Sequence, residues 1–241
     1  MAAGFFVFWR LGLNGQEKAF DSEKQQTQAA DNSDQSMPAG EAEGQVQGLL
    51  EENLNNCQRV FDREKLQTGQ IDIKNKTVEF LVRDFGKISL ELYEKDAPLA
   101  VENFLRLVNA GYYDCLTFHR VAKGFVIQSG DPTGTGSGGE SAFGGEFVDE
   151  LDPQKESYKQ GYKKGVLAMA NRGSNTNTSQ FFIMLEDASL PNDYTIFGRV
   201  VSGQAAVDKI GQVDITPGLG PTDGKPVFPV VIEKAIIVNS N

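Results

Sequence analysis

The segment FHRVAKGFVIQSGDPTGTGSGG, residues 118–139, sets His119, the only histidine of the chain, beside Arg120. Phe125, Val126 and Gln128 follow, and then the backbone turns to glycine. Two later segments have a similar mixture: MANRGSNTNTSQFFIML, residues 169–185, holds Ala170, Asn171, Gln180 and Phe182, and LPNDYTIFG, residues 190–198, holds Leu190 and Tyr194. The chemistry on offer is an always-charged guanidinium, amide side chains, an apolar wall and a loose loop whose glycines let backbone come close to a ligand. Parts that bond-breaking chemistry needs are missing. No GxSxG elbow supplies a serine for His119 to activate. Gly134 to Gly139 match GxGxxG, but the ESAFGGEF that follows has two more glycines and no helical stripe to hold a phosphate, so nucleotide binding is not expected. Asp84-Phe85-Gly86 and His119-Arg120 are like kinase fragments, yet Val121 stands where the catalytic aspartate belongs and the order along the chain is wrong. Cys57 and Cys115 lie far apart in no CxxC or Cys/His pattern, so no zinc site or disulfide framework is suggested and two free thiols are expected.

These residues need elements to hold them. Phe80 and Val82, then Ile88, Leu90 and Leu92, alternate with polar neighbours around Asp84-Phe85-Gly86, which predicts a β-hairpin. Asp96 as N-cap, Pro98, the face Val101, Phe104, Leu105, Val108 and a closing Gly111 predict a helix. Short strands separated by glycine follow: FVIQ, GVLAMA, QFFIML, TIFGRVV and PVVIEKAIIV, with one more helix over Gly203 to Gly211. Strands dominate and two helices stand out. The expectation is a mainly β fold, an antiparallel sheet closed into a barrel with helices over its ends.

The chain has 241 residues, 39% hydrophobic with 16 Phe, enough for one domain with a real core plus extra segments. A net charge of −10 repels a phosphate backbone, so nucleic acid is not an expected partner. Residues 1–13 are apolar but interrupted by Arg10 and shorter than the roughly 20 residues that span a bilayer. They read as the end of a membrane anchor that begins upstream, or as an apolar start that packs or frays. Residues 14–70 read as an acidic, flexible linker: from Asp21 to Glu52 eight acids face the single base Lys24, too polar to fold alone and largely disordered. Within it Val46, Leu49, Leu50, Leu54, Cys57 and Phe61 make a helical stripe, for a short helix over 46–66 that either docks on the domain or stays nascent. The folded domain is expected over 71–241. Its setting reads as membrane-anchored or extracytoplasmic, with the cytoplasm as the alternative.

FHR, GFVIQSGDPT, MAN followed by NTNTSQFFI, and FG after the YT pair keep order and spacing from Thr77 to Val238. In these motifs the chain resembles the cyclophilins, peptidyl-prolyl cis-trans isomerases. The resemblance implies an eight-stranded, closed antiparallel β-barrel capped by two α-helices, with an outer cleft for proline. By position, it implies that Arg120 is the catalytic arginine and that Gln128 orients it. Phe125, Val126, Phe182, Leu190 and Tyr194 become the pocket wall; Ala170, Asn171 and Gln180 become the strip that holds the peptide. His119 becomes a peripheral site residue and not an acid or base. No metal or cofactor is implied, and the partners are proline-containing peptides and unfolded proteins met by a monomer. Amide rotation fits these parts. The barrier is roughly 18–20 kcal/mol, no bond breaks, and a donor aimed at the proline nitrogen favours the twisted state.

The chain departs from many cyclophilins at four places. Ser189 stands where tryptophan is common and Tyr194 where histidine is, which implies weak cyclosporin binding with turnover retained. Val126 replaces a frequent methionine, and Cys115 falls where glycine is common in a turn. The competing expectation is a non-catalytic module that holds proline peptides, or a chaperone, tethered by the N-terminal extension.

Overall fold

The alternating hydrophobics around Asp84 do fold as a hairpin in the computed structural model, which describes residues 57–67 and 71–239. After a short helix α1 (Arg63–Gln67), β1 (Lys76–Val82) pairs antiparallel with β2 (Gly86–Leu92), Phe80 facing Ile88 and Val78 facing Leu90. Asp84 and Gly86 take positive φ, 64° and 94°, as a tight turn between twisted strands requires. Helix α2 (Pro98–Asn109) follows, then β3 (Leu116–Thr117), β4 (Arg120–Ala122) and β5 (Val126–Ser129). A short α3 (Glu156–Gln160) precedes β6 (Val166–Met169), β7 (Phe181–Met184) and β8 (Ile196–Ser202). Helix α4 (Gln204–Ile210), β9 (Ile215–Gly220), β10 (Asp223–Pro226) and β11 (Val231–Asn239) complete the order.

All these strands join one curled antiparallel sheet in the order β3-β11-β1-β2-β8-β6-β7-β5-β4-β10-β9. The architecture is mainly β, but it corrects the expected count. Among the described residues there are eleven strands and four helices, not eight and two, and the ladder is open from β3 to β9. Three of the additional strands are ones the sequence hardly marks: β9, sequence ITPGLG, and β10, sequence DGKP, are rich in glycine and proline, and β3 has only two residues. They pair because their neighbours are already in place. β3 and β4 lie on one stretch of chain, the first on β11 and the second between β5 and β10, so residues 116–122 cross from one end of the ladder toward the other.

Inside the curl the core is aromatic. Phe80, Phe104, Tyr113, Phe118, Phe181 and Phe197 are all fully buried, with Phe104 edge-on to Phe181 and Phe197 at centroid distances of 5.6 and 5.2 Å. Burying each such ring is worth roughly 1.5–3 kcal/mol. Helix α2 seals one end through Val101, Phe104, Leu105 and Val108, the face the sequence predicted. Its cap differs from the expectation. The N-cap is Ala97, which has no side-chain bond to offer, and the Glu150 carboxylate accepts the N–H groups of Leu99 and Ala100 at 3.1 and 2.9 Å instead. Asp96 accepts the N–H of Ser157. A carboxylate fifty residues away does the work a local cap would do.

The cysteines also differ. Cys57 and Cys115, expected as free thiols, form a disulfide with Cα atoms 5.6 Å apart. It ties residues 57–67 to the end of α2, where the Asp62 N–H donates to Ala110 O and the Arg59 guanidinium lies over the Tyr112 ring, 4.8 Å from its centroid. Arg63 adds a two-pronged ion pair to Glu140 at 2.7 and 2.8 Å. Of the helix expected over 46–66, the described part is helical only at Arg63–Gln67. Residues 46–56, the apolar start 1–13 and the linker from 14 onward to 56 lie outside the described residues.

Candidate active site

Period-two alternation and register build the site on the outer face of the sheet. Along β5 and β7, Ile127, Phe181 and Ile183 point into the main core, while Val126 and Phe182 belong to a second buried cluster with Ala122, Ala168, Met184 and Ile196. The ladder sets Arg120 opposite Gln128, Gln128 opposite Phe182, and Phe182 opposite Ala168. A cation, an amide and an aromatic ring therefore stand in a row across β4, β5 and β7. A one-residue slip would turn all of them inward.

The polar half of the row is a directed chain. Arg120 Nη1 donates to Gln128 Oε1 at 2.9 Å, Gln128 Nε2 donates to Gln180 Oε1 at 2.9 Å, and Gln180 Nε2 donates to Gly136 O and Gly138 O at 3.0 and 2.7 Å. Guanidinium can only donate and a carbonyl can only accept, so both amides have one allowed orientation. On its other edge Arg120 meets Asp223 of β10, with Nε and Nη2 donating to the two carboxylate oxygens at 2.9 and 2.7 Å.

The apolar half is a cleft of about 680 Å³ lined by Phe125, Val126, Phe182, Leu190 and Tyr194, with Ala170, Asn171, His119, Arg120 and Gln128 also on its walls. Ten of the eleven residues singled out in the sequence thus line one cavity, and Gln180 joins it through its bond to Gln128. Tyr194 stands edge-on to Phe182 at 5.5 Å, and its carbonyl accepts the hydroxyls of both Tyr158 and Tyr162. Asn171 is fixed by its Nδ2 donating to Asp193 O at 2.7 Å. Residues that sequence reasoning missed are Gly218, Leu219, Asp223, Gly224 and Lys225 of the β9–β10 hairpin. No local signal marks them.

The glycine loop is not loose. The Asp131 carboxylate accepts the N–H groups of Thr133, Thr135, Gly136 and Gly138 at 2.7–3.1 Å and winds the loop around itself. Burial alone would raise its pKa, but the bonds from Thr133, Gly138 and Gly136 outweigh that and hold it at about 2. At Gly130, φ 94°, any Cβ would strike Ser179 O, so glycine is required where the loop leaves β5.

His119 is 6% exposed, and among the described residues neither ring nitrogen has a hydrogen-bond partner. Burial lowers its pKa from 6.5; the Asp131 charge opposes this, and Arg120 and Lys225 add to it. The unfolded chain therefore binds the proton more readily than the fold does. Stability is expected to be whole above about pH 6.5 and to decline as pH falls from there toward the depressed value, with no further loss from this group below it. Urea unfolding at about pH 7 and about pH 5 checks this: His119→Gln should remove that part of the decline, and an unchanged decline would refute it.

A family model described as cyclophilin type peptidyl-prolyl cis-trans isomerase/CLD matches residues 77–237. The chain belongs to this family. Among cyclophilin-type relatives it is 42% identical over 166 residues to "Peptidyl-prolyl cis-trans isomerase-like 2" of Cryptococcus neoformans, covering 68% of this chain and 28% of that one. It is 45% identical over 157 residues to "Peptidyl-prolyl cis-trans isomerase ppi1" of Schizosaccharomyces pombe, covering 65% of this chain and 96% of that one. A crystal structure of a Cryptosporidium parvum cyclophilin-type isomerase superposes with a TM-score of 0.61 at 35% identity, over 69% of this chain and 99% of that one. The same Cryptosporidium cyclophilin was also solved in the presence of the dipeptide Ala-Pro, with a TM-score of 0.60.

Proposed function

We propose that the chain accelerates cis-trans rotation about Xaa-Pro peptide bonds in protein substrates and so assists folding. The observation that carries this reading is one guanidinium, held from two sides, at the edge of an apolar cleft large enough for a proline and its neighbours. A prolyl amide is planar by resonance and turns spontaneously in tens to hundreds of seconds. In the twisted state its nitrogen regains a lone pair. An N–H of Arg120 donating to that lone pair favours the twisted state over both planar ones, while Phe125, Val126, Phe182 and Leu190 grip the ring. Ala170, Asn171 and Gln180 hold the residues before proline, and Gln128 keeps Arg120 aimed.

The Ala-Pro dipeptide used with the Cryptosporidium relative supports proline peptides as the ligand class. The experiment is exchange NMR or a protease-coupled assay on an Xaa-Pro peptide. A rate that rises with protein concentration is expected; a rate independent of protein would sink the reading and leave the peptide-holding module. With Ser189 and Tyr194 in place of the larger indole and the imidazole, cyclosporin is expected to bind weakly, and a sub-micromolar dissociation constant by calorimetry would contradict that. The Cys57–Cys115 bond supports an oxidising, extracytoplasmic setting over the cytoplasm, which differential alkylation of the protein as isolated from cells tests.

A further inference from the structure

We propose that Asp223 is a positioning residue for Arg120, supplied by the β9–β10 hairpin, and that the aim of the guanidinium depends on it as much as on Gln128. The inference rests on the reading of Arg120 given above. Of the five N–H groups of an arginine, Nε–H and one on Nη2 go to the two oxygens of Asp223, and one on Nη1 goes to Gln128. Among the described residues, one N–H on Nη1 and one on Nη2 are left for a substrate. A paired carboxylate fixes both the plane and the rotation of the fork, which a single bond from Gln128 does not.

The hairpin is built to deliver that carboxylate. β10 lies beside β4 with Asp223 opposite Ala122 and Gly224 opposite Val121, one step from Arg120. A Cβ at position 224 would strike Thr216 O on β9, so only glycine lets the two hairpin strands close this tightly behind the aspartate. The pair is partly sheltered, with Arg120 and Asp223 side chains 28% and 20% exposed, and is screened less than a surface pair. Gly218, Leu219, Gly224 and Lys225 of the same hairpin line the cleft, so one hairpin carries both the aspartate and part of the cleft wall.

Asp223 also offsets part of the positive charge. For this reaction alignment outweighs that loss. The proline nitrogen gains a lone pair in the twisted state but no net charge, so what it needs from Arg120 is a hydrogen bond along one direction.

Asp223→Ala is therefore expected to lower kcat by about tenfold with KM within about twofold of the parent, and Asp223→Asn, which keeps the size but not the second acceptor, to fall between. In an Arg120→Ala background, Asp223→Ala should cost nothing further, because it acts only through the guanidinium. A role limited to tying β10 to β4 would change the unfolding midpoint and leave kcat alone. Parent-like or raised kcat in both Asp223 variants, or an additive loss in the Arg120→Ala background, overturns the inference. If Asp223→Ala does not fold by circular dichroism, the nearly isosteric Asp223→Asn carries the same test. Failure of the underlying reading is separate: there Arg120→Ala itself keeps the parent rate.

Discussion

Arg120→Ala is expected to lower kcat/KM for an Xaa-Pro peptide by about 10²–10³-fold, the usual cost of removing one preorganised donor from a transition state. The loss should sit in kcat, since on the proposed reading the planar substrate is gripped by Phe125, Phe182 and Leu190, which line the cleft, and does not need the guanidinium to bind. Arg120→Lys should recover little. An ammonium is a point charge without a planar fork and cannot meet both Asp223 oxygens and Gln128 Oε1 in their present positions. The measurement is kcat and KM for the three proteins at matched fold content. Parent-like turnover in Arg120→Ala would remove the mechanism, whatever became of peptide binding.

Reduction of the Cys57–Cys115 bond is expected to lower the unfolding free energy by about 2–4 kcal/mol. The bond closes a loop of 58 residues that contains β1, β2 and α2, and on the chain-entropy account a loop of this size is worth about 4 kcal/mol. In the reduced protein the 57–67 segment keeps weaker ties. Those ties are the Asp62 N–H to Ala110 O bond, the Arg59 guanidinium on the Tyr112 ring and the Arg63–Glu140 pair, whose side chains are 67% and 35% exposed and which holds little in water. Urea unfolding with and without a dithiol reductant, repeated on Cys57→Ser, reads the effect. An unchanged midpoint in both would refute it. Trypsin should also cut at Arg59, Arg63 or Lys65 sooner after reduction, because the segment opens without its covalent clip.

The two results bear on each other through Ser179. Its hydroxyl bonds the Tyr112 hydroxyl at 3.0 Å and donates to Gly130 O at 2.7 Å, and it precedes Gln180 in the chain. Tyr112, three residues before Cys115, and the Gln180 end of the amide chain to Arg120 thus meet at one buried serine just before β7. The glycine loop is tied at both ends of the same network, by Asp131 within and by Gln180 across.

Much of the site was readable along the chain. Val126 and Gln128, and likewise Gln180 and Phe182, sit at alternate positions of short β-prone runs, which puts each pair on one face, while their common place in one site was implied by the resemblance to the cyclophilins. Arg120 opposite Gln128 is a local matter, because β4 and β5 are joined by a tight turn, whereas Phe182 joins the row only when β7 pairs with β5. The hairpin around Asp84 and the buried face of α2 were likewise local matters of alternation and helical spacing. What the residues could not announce were pairings made at long range. Asp223 lies 103 positions from Arg120, Glu150 lies 50 from the helix end it caps, and Cys57 lies 58 from Cys115. Each belongs to a common residue type in an unremarkable context. Strands β9 and β10 carry glycine and proline that argue against strand, and only the waiting edge of β4 makes them pair. Local propensity and periodicity act within a few residues and are written in the sequence, whereas which distant groups meet is decided when the sheet curls and brings its edges round.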